Sequence, residues 1–341
     1  MVDTVWKSTL ARPHWAGASA STDEHLEIYD GEVETRFQYS AIFLGLSTQR
    51  SVADRSNTYR IDRLGQTAVK GRRSGEALTP TRVTNEKLVF TVDTVLYIRN
   101  PIDYQDDWTA PDFLQEMGQN NGSGFAELFD EAHLIQLIKS RTYTSPAHLK
   151  PAIGDGKEIV ATFKTAAVTQ SELEANAISI NLAHKKAVDD LVKRKVPLMD
   201  MITMVTPEIY SALIEHPKMM NLEYDTANGG MYSGRRMVRM NGVPIVECTE
   251  FPKQVYDATT RHPLDGESGA LKFNVSAEDL KCKMVIFSKS KTLVTIEAKP
   301  FTSRIWDDEA NFANVLDCYA MYTVGQRRPD TCIVIKFNEP V

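Results

Sequence analysis

The chain has 341 residues, more than a single hydrophobic core usually supports, so about two packed units are expected. Hydrophobic residues at 42% and charged residues at 25% are the proportions of an ordinary globular protein. The formal net charge of −6 argues against a dedicated nucleic-acid binder, which would be basic.

Residues 1 to about 30 mix Pro, Trp, Ser and charges without periodicity, the texture of an arm that orders only against something else. The opening MVDTVWKSTLARPHW has no continuous apolar stretch, so no signal peptide is expected. Nowhere do about 18 apolar residues run together as a membrane span would require. In 31–52, Val33, Phe37 and Phe43/Leu44 lie at loosely helical spacing, and a helix is expected there.

From Thr58 to Arg99 the texture becomes β-rich. TYRIDRLG and LVFTVDTVLYI read as strands, joined by QTAVKGRRSGEALTPTRVTNEK, which carries Lys70, Arg72, Arg73 and Arg82. That connection is far longer than a usual hairpin turn. A two-stranded ribbon cannot bury both its faces and is marginal alone in water, so this one is expected to lie on a neighbour.

The next segment predicts a long helix, with Phe113, Met117, Phe125, Phe129 and Ala132 recurring at threes and fours and Leu128 and Ile135 widening the stripe. Asp106, Asp107 and Asp112 sit near its start, where the helix dipole favours anions. The run GQNNGSG, with Gly118, Gly122 and Gly124, should bend or break it, since two glycines cost about 2 kcal/mol relative to alanine. EIVATFKTA predicts a strand, and Ser171 to Lys195 a helix with Ser171 and Glu174 as capping box, one stripe of Ile180, Ala183, Ala187 and Leu191, and a stop at Pro197. MDMITMVTPEIYSALIEH predicts a strand and then a helix with Thr206 as N-cap and Pro207 in its first position. Asn241-Gly242 marks a turn before a buried strand; 253–278 is turn-rich; KMVIFS and TLVTIEA are strands. At the C-terminal end, β-rich runs at 315–321 and 331–337 flank a Gln-Arg-Arg-Pro turn, so the chain closes inside a sheet.

Catalytic patterns fail one by one. GDGK (154–157) lacks the leading Gly and the Ser/Thr of a P-loop, and GESGA (266–270) has Ala270 where a nucleophile elbow needs glycine. The seven histidines stand singly, without metal-ligand spacing. Asp106-Asp107 and Asp307-Asp308 read as solvated helix starts. Cys248, Cys282, Cys318 and Cys332 read as small buried hydrophobes in a reducing cell. No catalytic, metal or cofactor site is expected, and no cofactor.

The order of WDDEANF (306–312), YAM (319–321), Gly325, RPD (328–330) and a closing strand resembles the C-terminal end of major capsid proteins of tailed bacteriophages. RIDRLGQ…GRRSGEAL resembles that family's extended loop, VFTVDTVLYIRNPIDYQDD its strand leading into the spine helix, and LAHKKAVDDLVKRKVP its second helix. ITMVTPEIYSALIEH and NGVPIVECTEFP resemble its central strand–helix and a later strand, and the likeness is strongest to short-tailed, podovirus-type phages. The resemblance implies an α+β, Hong Kong 97-like fold. Its expected parts are an N-terminal arm (1–50), an extended-loop hairpin or E-loop (51–97), a peripheral domain with the spine helix (98–198), an axial domain (199–303) and a return to the peripheral sheet (304–341).

It further implies a coat protein that assembles into pentamers and hexamers of an icosahedral shell around packaged double-stranded DNA. The E-loop tip, Lys70, Arg72, Arg73 and Glu76, is the expected contact between subunits, and Gly118, Gly122 and Gly124 the expected hinge. Partners would be further copies of the chain, a separate scaffolding protein, a portal, in some systems a decoration protein, and DNA held without sequence preference; no membrane is involved. The place would be the virion, after assembly in the host cytoplasm. Some relatives join neighbours through lysines, for which Lys70 and Lys87 are available. The reading from another class is a two-domain cytoplasmic enzyme with dispersed catalytic residues.

Overall fold

The computed structural model describes residues 41–53, 56–105, 113–216, 239–267 and 269–340. Its strands fall into two sheets and one separate hairpin. The four-stranded sheet has the order β1-β10-β11-β4: β1 (Thr48–Ser51), β4 (Leu96–Asp103), β10 (Leu293–Asp308) and β11 (Ala313–Gln326). The six-stranded sheet has the order β5-β12-β9-β6-β8-β7, from β5 (Lys157–Thr162), β6 (Met201–Val205), β7 (Arg239–Met240), β8 (Val243–Glu247), β9 (Cys282–Ser288) and β12 (Cys332–Asn338). The hairpin is β2 (Thr58–Leu64) with β3 (Asn85–Thr91).

The long helix α1 (Phe113–Lys139) supplies the larger core. Phe125, Phe129, Leu134, Ile135, Leu137 and Ile138 are buried against Leu316 and Cys318 of β11, Phe287 of β9 and Val334 of β12. Helices α2 (Gln170–Lys193) and α3 (Pro207–Ile214) cover the six-stranded sheet through Ile180, Ala187, Leu191 and Ile209. Strand β6, MITMV, is buried at every position, as a strand covered on both faces must be.

Local chemistry sets the ends. Asn241 and Gly242 both take positive φ (49° and 84°), the two-residue turn that matches strand twist, and join β7 to β8. Thr206 is the N-cap of α3, with Pro207 following. On α2 the cap is Thr169 rather than Ser171: the Glu172 carboxylate accepts from the backbone N–H groups of Val168 (3.1 Å) and Thr169 (3.3 Å). The helix stops before Pro197, because Lys195 turns left-handed (φ 61°) and the Val196 N–H returns to the Leu191 carbonyl.

Several expectations are corrected. The described part of 31–52 holds a single 3-10 turn at Phe43–Gly45 and then β1, which pairs parallel with β10; 31–40 lies outside the described residues, as do Asp106, Asp107 and Asp112. Helix α1 runs unbroken through 118–124, with Gly118 and Gly122 buried, because the apolar burial on its C-terminal half outweighs the glycine penalty. LVFTVDTVLYI is two strands, β3 and β4, in different sheets. Asp307 and Asp308 end β10 instead of opening a helix. The runs either side of Gln-Arg-Arg-Pro also part company: β11 belongs to the four-stranded sheet, while β12 inserts between β5 and β9 in the other. Segment 304–341 therefore divides between the two sheets.

Buried titratable groups tie these layers together. The His133 Nδ1–H donates to the Phe129 carbonyl (2.6 Å) and its Nε2 accepts from the Thr295 hydroxyl (2.8 Å), while its ring stacks on Phe43. Asn241 donates to Nδ1 of His184 (2.9 Å), whose Nε2–H donates to Thr203 (3.0 Å). Burial lowers the His133 pKa to about 4 and that of His184 to about 3. Asp130 accepts from the Ile42 (2.8 Å) and Phe43 (3.0 Å) amides, yet burial raises its carboxyl to about 6. Unfolded histidine binds a proton near pH 6.5, the native imidazoles only below about 4, so their contribution is full above pH 6.5 and is lost as pH falls towards 4. Asp130 has the opposite sign, disfavouring the fold as pH rises from its ordinary value of 3.8 through about 6. His133→Gln with His184→Gln should lower stability at pH 7.5 yet flatten its fall between pH 6.5 and 4, read as urea midpoints across that range.

Candidate functional site

The β2–β3 hairpin stands apart from both sheets, and its two ends differ. Along β2 the side chains alternate: Tyr59, Ile61 and Arg63 face the body, Arg60, Asp62 and Leu64 face solvent. The inward arginine makes the root. Its Nη1 donates to the Tyr143 hydroxyl (3.0 Å) and its Nη2 to the carbonyls of Gln326 (3.0 Å) and Arg327 (2.6 Å). The guanidinium also lies 5.8 Å from the Tyr143 ring centroid. From β3, Phe90 packs on Gly325 of β11, where a Cβ would come within 2.0 Å of the ring. Lys272 reaches the Thr91 carbonyl (3.2 Å) and Asp93 (3.0 Å), and the Thr84 hydroxyl donates to the His148 carbonyl (3.2 Å).

Beyond this root no described residue covers the loop: every residue from Gln66 to Thr84 is exposed, Val69 at 99% and Leu78 at 77%. The four tip residues proposed from sequence share this loop. The Arg73 N–H donates to Glu76 Oε2 (3.0 Å) and the Glu76 N–H to the Arg73 carbonyl (3.2 Å), closing a turn around Gly75 (φ 93°). Lys70 donates to the Thr79 carbonyl and hydroxyl, each at 3.4 Å. Glu76 thus shapes the turn, while Lys70, Arg72 and Arg73 form no ion pair among the described residues. The glycines Gly118, Gly122 and Gly124 lie far along the sequence from this loop, in the first half of α1; Gly124 is exposed with open space around its Cα.

Other reactive side chains are absorbed by the fold. All four cysteines are buried, and burial pushes the Cys248, Cys282 and Cys332 thiols up to about 12. Among the described residues no group of three or more His, Cys, Asp and Glu could hold a metal ion, and no helix is long and apolar enough to cross a membrane.

An orphan ribbon rooted on a spine helix between two sheets has counterparts of known structure. A subunit of the mature capsid of bacteriophage PhiM1 is 41% identical over 99% of this chain and 100% of its own, with a TM-score of 0.76. The chain belongs to the bacteriophage major capsid protein family, with the Hong Kong 97-like fold. At 19% identity a capsid subunit of the cyanophage P-SCSP1u shares that fold over 88% of this chain and 89% of its own (TM-score 0.71). A virus-like particle from Pyrococcus furiosus does so at 9% identity over 91% and 98% (TM-score 0.52). No protein-family model and no curated protein matches the chain.

Sequence reasoning singled out the tip and Gly325 but missed Arg63 and the packing of Phe90 on Gly325. The signal for Arg63 was present, an arginine on the apolar side of an alternating strand. Phe90 against Gly325 joins positions more than 200 residues apart and left no local trace. Arg63→Met should destabilise the protein by about 2–4 kcal/mol, since it leaves two half-buried carbonyls and a hydroxyl without their donor. Arg63→Lys should restore only part, because one ammonium cannot reproduce the guanidinium fork. Thermal unfolding of the two variants checks the order.

Proposed function

We propose that this chain is a self-assembling coat protein of a short-tailed phage, forming the pentamers and hexamers of a closed icosahedral shell around packaged double-stranded DNA. The observation that carries this reading is the β2–β3 ribbon: its root is locked by Arg63, while its tip exposes two unpaired guanidiniums and large apolar side chains. Such a loop gains its partners from a second subunit. The four-stranded sheet with α1 serves as the peripheral unit, and the six-stranded sheet with α2 and α3 as the axial one. Gly118, Gly122 and Gly124 let α1 adapt between ring environments, since glycine lowers the resistance of a helix to bending. Packaged DNA is contacted without sequence preference, and the working partners include a scaffolding protein, a portal and, in some systems, a decoration protein. The product is the virion, assembled in the host cytoplasm.

Exposed ion pairs are worth about 0–1 kcal/mol each, so the tip acts through repetition around closed rings. Arg72→Glu with Arg73→Glu should leave the circular dichroism of the subunit unchanged and reduce shells at least about tenfold by negative-stain counting. Normal shell yield from that double variant would remove the tip from the assembly contacts.

The shell is held non-covalently. Lys70 lies in a fully exposed loop where nothing excludes water, the opposite of what an amide-forming lysine needs. Purified particles, boiled and run on a denaturing gel without reductant, should give one band near 38.3 kDa. A ladder of covalent oligomers would contradict this and direct attention to Lys70 and Lys87.

A further inference from the structure

A cleft of about 530 Å³ lies at the foot of the ribbon, between β3, the end of α1 and the last residues of β11. That size suits a small molecule. Three cations stand in its wall, Arg63, Lys139 and Lys272, and no carboxylate does. Leu88, Phe90 and Val324 give it an apolar side. The fold leaves the cations incompletely partnered. Arg63 is only 7% exposed; both its terminal nitrogens are bonded, but its Nε–H is buried with no hydrogen-bond partner. A buried donor in that state calls for an acceptor. Lys139 is half-buried and reaches only neutral groups, the Lys272 carbonyl (2.9 Å) and the Asn274 side chain. Burial lowers its pKa against the pull of Asp265 and Asp279, neither of which lines the cleft. Lys272 has one acid, Asp93 (3.0 Å).

We propose that this cleft binds a small phosphate-type anion. A phosphate group carries at least three strong acceptor oxygens. These can engage the Arg63 Nε–H, the Lys139 ammonium and the Tyr143 hydroxyl, whose oxygen accepts from Arg63 and whose proton is left to donate. A bound anion would also neutralise a half-buried ammonium that otherwise faces carbonyls alone. The source is free phosphate or the phosphate of a mononucleotide, whose base the apolar side would meet. Glu86 is the competitor within the chain. It pairs in register with Arg63 and keeps a buried Oε2 without a partner, yet it forms no ion pair with Arg63 and does not line the cleft. An occupied cleft would tie β3 to α1 and β11 through one charged group, adding to the Arg63 clamp at the ribbon root. The site lies within one subunit, so it stands or falls apart from the shell reading.

Calorimetric titration of the full chain, as unassembled subunits, tests it. The probes are inorganic phosphate, adenosine monophosphate and acetate, at constant ionic strength so that general screening does not enter. Phosphate and the monophosphate should bind and acetate should not. Monophosphate binding tighter by about tenfold or more identifies a nucleotide as the source, and equal affinities identify free phosphate. Lys139→Gln should weaken binding at least about tenfold, while Lys139→Arg, which keeps the charge, should retain most of it. Lys139 also holds the loop at 272–274, so a second variant guards against a lost fold. Leu88→Trp fills the cleft from the ribbon side, leaves every cation in place and should abolish binding. No binding of either phosphate probe, affinity unchanged in both Lys139→Gln and Leu88→Trp, or acetate binding as well as phosphate overturns the proposal. Phosphate binding that appears only in Glu86→Gln overturns it too, and assigns Arg63 to Glu86. A DNA oligonucleotide that binds where neither phosphate probe does has the same result.

Discussion

The structure depends on how the second half of α1 is buried. Every residue from Ala132 to Ile138 is buried, His133 and Gln136 included, so this stretch is covered all round rather than along one stripe. It packs on β10 and β11 from one sheet and on β9 and β12 from the other. The two sheets therefore share one helix as their common floor, and the polar groups on it must be satisfied in place. His133 meets Thr295, and Gln136 meets the Lys272 carbonyl and Gln326. A change in this stretch is felt in both sheets at once.

From that floor the ribbon is positioned. Gln326 leaves β11 beside Gln136, and the carbonyls of Gln326 and Arg327 are the ones that Arg63 grips. The direction in which the exposed loop leaves the body is thus tied to the spine helix through three residues. A rigid root with an uncovered tip suits a part whose partner lies on another molecule, because the loop arrives in a fixed direction and little ordering is left for the contact itself.

The charges follow a related pattern. Cations concentrate on the ribbon tip and in the cleft at its foot, while the chain as a whole is net negative. Where carboxylates are near, the cations are paired within the fold, as Arg141 is with Asp279 (2.8 Å) and Arg99 with Asp317 (2.6 Å). Arg72 and Arg73 form no ion pair among the described residues, as is also true of other exposed cations such as Arg60, Arg82 and Lys87.

The sequence by itself determined the elements whose information is local. The stripe of Ile180, Ala183, Ala187 and Leu191 made α2, Thr206-Pro207 started α3, and Asn241-Gly242 turned β7 into β8. The length of the 65–84 connection and its cations marked the candidate site, because a ribbon too long to bury itself can be recognised from composition alone. Tertiary structure decided what depends on distant partners. LVFTVDTVLYI broke into strands for different sheets because Leu96 onward found β11 while Leu88 to Thr91 found β2. The glycines at 118–124 stayed helical because burial supplied by residues hundreds of positions away exceeded a local penalty. Arg63, Phe90 against Gly325, and the cationic cleft all join segments separated by most of the chain, and no window of sequence contains both halves of such a contact.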